Sequence, residues 1–189
     1  RDVAPSRGLG DVYKRQKYDL SSIQRCCTAG EPLNPEVIKK WQEYTGHFIY
    51  EGFGQSEGSV LLANFQWFEP RLGSTGKPSP IYDIHLVDKD GNDVKTGEEG
   101  SIVVMDVKNH PPVGLFTGYY KNPEMTEEKL LGKFYNTDDM ASCDEDGYYC
   151  FIGRDDDVIK CSGYRIGPFE VESALLEHPS VVELSLIHI

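Results

Sequence analysis

Two textures of hydrophobic patterning divide the chain. In the first, a β-prone run from Ile23 to Thr28 passes through Ala29-Gly30-Glu31-Pro32-Leu33 into a stretch with apolar residues at helical spacing, Val37, Ile38 and Trp41. Asn34 stands where an N-cap is needed, and Pro35 occupies the first helical position, where its missing N–H costs nothing; Gly46 supplies the stop. Phe48 to Glu51 then reads as a buried strand running into Gly52-Phe53-Gly54-Gln55-Ser56-Glu57-Gly58. Strand, turn, helix, strand and glycine-rich turn make a βαβ unit, and ligands of such units gather at the carboxyl ends of the strands.

After Pro70 the pattern changes to short strands broken by turns at Gly73 to Pro80, Asp90-Gly91-Asn92 and Gly97 to Gly100. Ile81 to Asp88 and Ser101 to Val107 are β-branched with rough alternation, which predicts a small antiparallel barrel. Thr126 is placed to cap a short helix through Leu131. Phe134 to Asp139 reads as a strand, and the Asp146-Gly147 pair inside Asp144 to Tyr149 signals a hairpin turn. An EF-hand reading of that acidic turn fails, because Ser142 and Gly153 would stand where its first and last ligands belong. Pro168 opens a last helix with Val171, Ala174, Leu175 and Leu176 on its apolar side, ended by His178-Pro179.

With 189 residues, 39% of them apolar, the chain can bury a real core. Its net charge of −12, without a basic cluster, argues against nucleic acid or an anionic membrane as partner. No apolar run approaches the length of a membrane span. Five cysteines, an odd number without metal-type spacing, read as reduced thiols and place the protein in the cytoplasm. His47, His85, His110 and His178 stand alone in sequence and are expected as surface or cap residues.

The densest chemistry lies from Gly153 to Pro168. Asp155, Asp156 and Asp157 repel one another unless solvated or paired, which suits an exposed hinge, while Arg154, Lys160 and Arg165 offer donors for phosphate or sugar oxygens and Gly163 admits a close ligand. Continued through Glu170-Val171-Glu172, this run resembles the hinge motif of the acyl-adenylate-forming superfamily, which includes acyl-CoA synthetases, luciferases and peptide-synthetase adenylation domains. The run from Glu51 to Glu57 resembles the same family's Y/F-G-x-T/S-E motif, with Ser for the commoner Thr, and Gly30-Glu31-Pro32 resembles its adenine-contacting turn. Within the family the motifs are most similar to medium-chain acyl-CoA synthetases.

The resemblance implies a site residue by residue. Gly30, Glu31 and Pro32 with Glu51, Gly52, Phe53, Gly54 and Gln55 line an adenine pocket; Ser56 serves the α-phosphate and the acyl carboxylate, and Glu57 holds Mg²⁺, making these two the catalytic candidates. Asp139 and Arg154 take the ribose, Asp156 is the hinge, and Ser162, Gly163, Tyr164 and Arg165 face coenzyme A. The implied reaction converts a small carboxylic acid and ATP to acyl-AMP, then to acyl-CoA and AMP. Asp138 departs from the family's glycine, and a second carboxylate beside Asp139 is expected to raise a proton affinity there or displace the backbone. A carrier-protein-loading adenylation domain and an inactive AMP-binding remnant share these motifs and stay open.

The expected architecture is α/β: residues 17–155 as the C-terminal part of an AMP-binding domain, its βαβ segment followed by the barrel, and 156–183 as the hinge and the start of an α+β lid. Residues 1–16 and 184–189 resemble translated adaptor scars and are expected to be foreign. The family's phosphate loop and adenylation lysine have no counterpart here, so the chain is expected to be a fragment that does not form acyl-AMP alone.

Overall fold

The computed structural model describes residues 18–130, 132, 134–155, 157–161, 164–178, 180–181 and 184–186, and for 160, 161, 164 and 165 the backbone alone. Strands β1 (Cys26–Ala29) and β2 (Ile49–Gly54) run parallel with helix α1 (Pro35–Thr45) between them, so the βαβ unit forms. Its local causes are the expected ones. Asn34 Oδ1 accepts the Glu36 N–H at 2.8 Å, and Gly46, at φ 76°, returns its N–H to the Gln42 carbonyl. Ile38 is buried and the Trp41 indole N–H lies 3.2 Å from Cys26 Sγ, whereas Val37, expected on the apolar face, is exposed.

β2 reverses into β3 (Val60–Ala63), which pairs with the short β4 (Lys77–Pro78) to complete a four-stranded sheet. β3 has no counterpart among the expected elements. Leu61 and Leu62 are both fully buried, so the strand carries no alternation to read.

A second sheet is an antiparallel meander of β5 (Ile84–Val87), β6 (Glu99–Met105), β7 (Phe134–Cys143) and β8 (Tyr149–Arg154). The expected barrel does not close: β5 and β8 stay at opposite ends of the order, four strands being too few to enclose a packed interior. The outer edge of β8 is taken by the segment before β4. Tyr149 N–H donates to the Gly76 carbonyl at 2.8 Å, and Thr75 N–H donates to the Tyr149 carbonyl at 2.9 Å. One apolar cluster therefore runs through both sheets, with Leu61 and Leu62 against Ile102, Val104, Tyr135 and Tyr149.

Helix α2 (Pro123–Leu130) starts four residues earlier than expected. Asn122 caps it, accepting the Met125 N–H at 3.1 Å, and Thr126 Oγ1 instead accepts the Tyr119 N–H at 2.8 Å. The Asp144 to Tyr149 hairpin turn forms with Gly147 at φ 79°. Asp144 Oδ1 gathers the N–H groups of Asp146 and Tyr148, and Arg71 bridges Asp144 and Asp146 from outside. His85 and His110, isolated in sequence, pair with Asp93 and Asp106 at the surface. After β8, a hairpin of β9 (Ile159–Cys161) and β10 (Tyr164–Ile166) leads into α3 (Pro168–Leu176), which packs on β8. Among the described residues no helix is long and apolar enough to cross a membrane.

Gly76 joins the two sheets at φ 98°, and a Cβ there would overlap the backbone of Ala63 and Asn64. Gly76→Ala is expected to lose more than about 4 kcal/mol or to fail to fold, because neither strand can withdraw without breaking the ladder. At Gly147 a Cβ meets open space, so Gly147→Ala is expected to cost only the left-handed strain, about 1 kcal/mol. Urea midpoints of the two variants measure the contrast; equal losses would contradict the account of how the sheets are joined.

Candidate functional site

The glycine-rich motif is the hairpin between β2 and β3. Gln55 and Gly58 exchange backbone hydrogen bonds of 2.8 and 3.2 Å, leaving Ser56 and Glu57 at the tip of the turn. Gly54 is required just before it, since a Cβ there would sit 2.5 Å from the Ser59 carbonyl oxygen. The turn is braced from one side by the segment after residue 113: Ser59 N–H donates to the Gly114 carbonyl and Phe116 N–H to the Glu57 carbonyl.

Opposite stands an irregularity in β7. Val103 pairs with Asn136 and Ser101 with Met140, so Thr137, Asp138 and Asp139 all face Ile102. Such bulges re-aim side chains, and this one turns Asp139 toward the Gln55 loop. Thr137 Oγ1 pins it, donating to the Ile102 carbonyl at 2.9 Å and accepting the Asp139 N–H at 3.2 Å. Asp138 takes φ 62°, the left-handed conformation glycine favours. The strain, about 1–2 kcal/mol, is offset by Asn136 Oδ1, which accepts the Asp138 N–H at 2.9 Å, and by an ion pair from Asp138 to Lys129. That pairing draws the Asp138 carboxylate to Lys129 while Asp139 turns to Gln55, so the two neighbours have separate partners.

The Gln55 side chain closes the arrangement. Its Nε2 donates to the Thr137 carbonyl at 2.8 Å and to Asp139 Oδ2 at 2.5 Å, and its Oε1 accepts from Tyr135 Oη at 2.7 Å. Between this junction and α3 lies a cleft of about 700 Å³, within the range of small-molecule sites. It brings together every residue expected for an adenosine: the Gly30 to Pro32 turn, Glu51 to Gln55, Asp139 and Arg154. Asp139 and Arg154 are direct cross-strand partners. Phe53 and Phe151 supply aromatic walls, their centroids 5.7 Å apart. Among the described lining residues Arg154 is the cation and the carboxylates outnumber it. Such a lining suits the uncharged end of a ligand better than its phosphates.

Glu51 is buried, and desolvation pushes its carboxyl up to about 7, against a hydrogen bond from the Leu33 N–H that favours the charged form. That bond ties the Gly30 to Pro32 turn to β2. Ser56 and Glu57 fall outside the cleft lining, Ser56 exposed and Glu57 half-buried. Glu57 Oε1 accepts from Tyr119 Oη at 2.8 Å, and burial together with this carboxylate pushes the phenol up to about 12. Asp156, Ser162 and Gly163 lie outside the described residues, as do the side chains of Tyr164 and Arg165. Sequence reasoning missed Thr75, Phe151 and Phe169, which also line the cleft, and the two phenols behind it, Tyr119 and Tyr135. Thr75 lies in the Gly73 to Pro80 run, whose sequence signals only a turn.

Residues 4–120 match the family model described as AMP-binding enzyme. The chain belongs to that family. It is 48% identical over 170 residues to the mouse mitochondrial acyl-coenzyme A synthetase ACSM3, covering 90% of this chain and 29% of that protein. The human mitochondrial acyl-coenzyme A synthetase ACSM5 is likewise 48% identical over 171 residues, again 29% of its length. Among solved structures, the anthranilate CoA ligase AuaEII in complex with anthranoyl-AMP superposes with a TM-score of 0.79 at 33% identity, over 93% of this chain and 34% of that one. ATP-bound MatB from Rhodopseudomonas palustris gives 0.75 at 27% identity, over 85% and 31%. The chain thus spans under a third of its curated relatives. The cytoplasmic placement is overturned, since these relatives are mitochondrial. Cys26, Cys27, Cys143 and Cys150 are free, and a free thiol does not identify a compartment.

Because Glu51 ionises near 7 in the fold and near its usual 4.5 when unfolded, its contribution to stability is complete below 4.5 and is lost as pH rises through 7. Glu51→Gln is therefore expected to be more favourable at about pH 8 than at about pH 4.5, by up to about 3 kcal/mol. Urea unfolding at the two pH values measures this. An identical effect at both would contradict the burial of an ionisable carboxyl in the cleft wall.

Proposed function

We propose that the protein to which this chain belongs is an ATP-dependent acid–thiol ligase, an acyl-CoA synthetase working in mitochondria, and that this chain carries its adenosine-binding half. The supporting observation is the convergence of three separated segments, Gly30 to Pro32, Glu51 to Gln55 and Asp139 with Arg154, on one cleft, in a chain 48% identical to acyl-coenzyme A synthetases. The adenine lies against the glycine-bearing backbone and Phe53. Asp139, accepting two bonds at once, and Arg154 hold the ribose. With few cations in the cleft, the phosphates run outward toward Ser56 and Glu57 at the tip of the turn.

A carboxylate oxygen of the acid attacks the α-phosphorus and pyrophosphate leaves, forming acyl-AMP. The thiol of coenzyme A, its proton lost to solvent, then attacks the acyl carbon and AMP leaves. No protein nucleophile is needed, so catalysis rests on positioning and charge neutralisation. The donor set fits Mg²⁺, which is held by one or two carboxylates together with substrate phosphates: Glu57, next to Ser56 in the chain, has one oxygen steadied by Tyr119. Bound there, the ion would neutralise phosphate charge. Coenzyme A is assigned to Ser162 to Arg165 by the motif they form.

In the full-length protein, acid-dependent exchange of pyrophosphate into ATP and formation of a coenzyme A thioester are expected across a panel of aliphatic and aromatic acids. Asp139→Ala is expected to raise the KM for ATP about 100-fold by removing two charge-assisted bonds. Exchange with transfer to a carrier-protein arm but not to free coenzyme A would move the reading to an adenylation domain. AMP binding without exchange on any acid would leave a nucleotide-binding protein only.

A further inference from the structure

Lys129 lies outside the cleft lining, yet its charge is held against the cleft's acidic end. Helix α2 carries Glu124, Glu127, Glu128 and Lys129 and has no buried residue of its own. A lysine on such a helix is ordinarily left in water. Lys129 is turned inward instead: its side chain is 19% exposed and its ammonium bonds Asp138 Oδ2. Asp138 stands where acidic segments meet. It precedes Asp139 of the cleft wall, and its carbonyl accepts the Asp155 N–H at 3.0 Å. It also shares a neighbourhood with Glu57: burial raises the Tyr119 phenol, the bonded Glu57 raises it further, and so does the charge of Asp138. Glu57 and Asp138 therefore flank the same hydroxyl.

We infer that Lys129 is a positioning residue for the nucleotide's phosphates, cancelling the charge of Asp138 so that a polyphosphate is not repelled from the Ser56 and Glu57 end of the cleft. The inference rests on the reading of the cleft as an adenosine site whose phosphates run toward that end. The background there is unfavourable to an anion: the chain carries a net charge of −12, and carboxylates outnumber Arg154 among the described lining residues. An uncancelled Asp138 would add to it. Charge acts beyond contact distance, over about 10 Å at 0.1 M salt, so Lys129 needs no contact with the phosphates to matter. Adenosine, which is uncharged, is indifferent to this cancellation. The pair's other effect, support of the bulge at Asp138, concerns every ligand of the cleft alike, and that difference separates the two roles.

The test measures, in the pyrophosphate exchange reaction of the full-length protein, the KM for ATP and the inhibition constant of adenosine. Lys129→Met keeps a good helix former and removes the charge. It is expected to raise the KM for ATP about ten-fold and to leave inhibition by adenosine within about two-fold. Asp138→Asn, which suits the left-handed backbone, leaves the lysine uncancelled and is expected to lower the KM for ATP about three-fold. The double variant is expected to return to within about two-fold of the unmodified protein, since charge is removed in equal and opposite amounts. In about 1 M salt the differences shrink to about two-fold or less. A purely structural pair gives another pattern: ATP and adenosine weaken together, and the double variant is no better than Lys129→Met. That pattern, or an unchanged KM for ATP in Lys129→Met, overturns the inference and leaves the adenosine reading standing. Lys129→Gln carries the same expectation and serves if Lys129→Met does not fold. If Asp139→Ala changes neither the KM for ATP nor inhibition by adenosine, the adenosine reading falls, and the inference with it.

Discussion

The hydrogen bond from Gln55 Nε2 to Asp139 Oδ2 joins residues 84 apart in the chain, and the cleft exists because it forms. Gln55 belongs to the turn that ends the parallel β2; Asp139 belongs to the bulge of an antiparallel strand in the other sheet. Neither sheet alone makes a site. The turn offers backbone and Phe53, the bulge offers a carboxylate with Arg154 as its strand partner. Burial of Leu61, Leu62, Ile102 and Val104 in the shared cluster brings the halves to within hydrogen-bonding distance, each such side chain contributing about 1.5–3 kcal/mol. Tight packing then specifies the polar contact: at 2.5 Å, little relative sliding of the sheets is tolerated.

The same junction explains how the fold accommodates a residue that local rules disfavour. Asp138 stands in the left-handed region without being glycine, and it is retained by partners on both its backbone and its side chain, Asn136 and Lys129. Local strain at the bulge is thus supported by α2, which supplies Lys129. The helix has no buried residue of its own; its contribution to the site is this cation.

What could be read from the residues were the features written locally. The Asn34, Pro35 and Gly46 signals bound α1, the Asp146-Gly147 pair makes its turn, and Gly52 to Gly58 is the loop its composition suggests. The residues named by the motif resemblance, Gly30 to Pro32, Glu51 to Gln55, Asp139 and Arg154, also line one cleft together. Long-range features stayed hidden. β3 lacks alternation because both its faces are buried, the supposed barrel stays open because Gly76 takes the edge of β8, and Thr126 loses its capping role to Asn122 through a contact with Tyr119. Tyr135 looked like one more strand aromatic. Only the bulge reveals that its hydroxyl meets an amide from the other sheet.

Whether this junction is one wall of an adenosine site is decided by a crystal structure of the full-length protein with AMP. Adenine is expected between the Gly30 to Pro32 turn and Phe53, both ribose hydroxyls on Asp139 and Arg154, and the Gln55 amide oriented as in the free protein. AMP bound elsewhere, or bound here with the Gln55 to Asp139 contact broken, would contradict it.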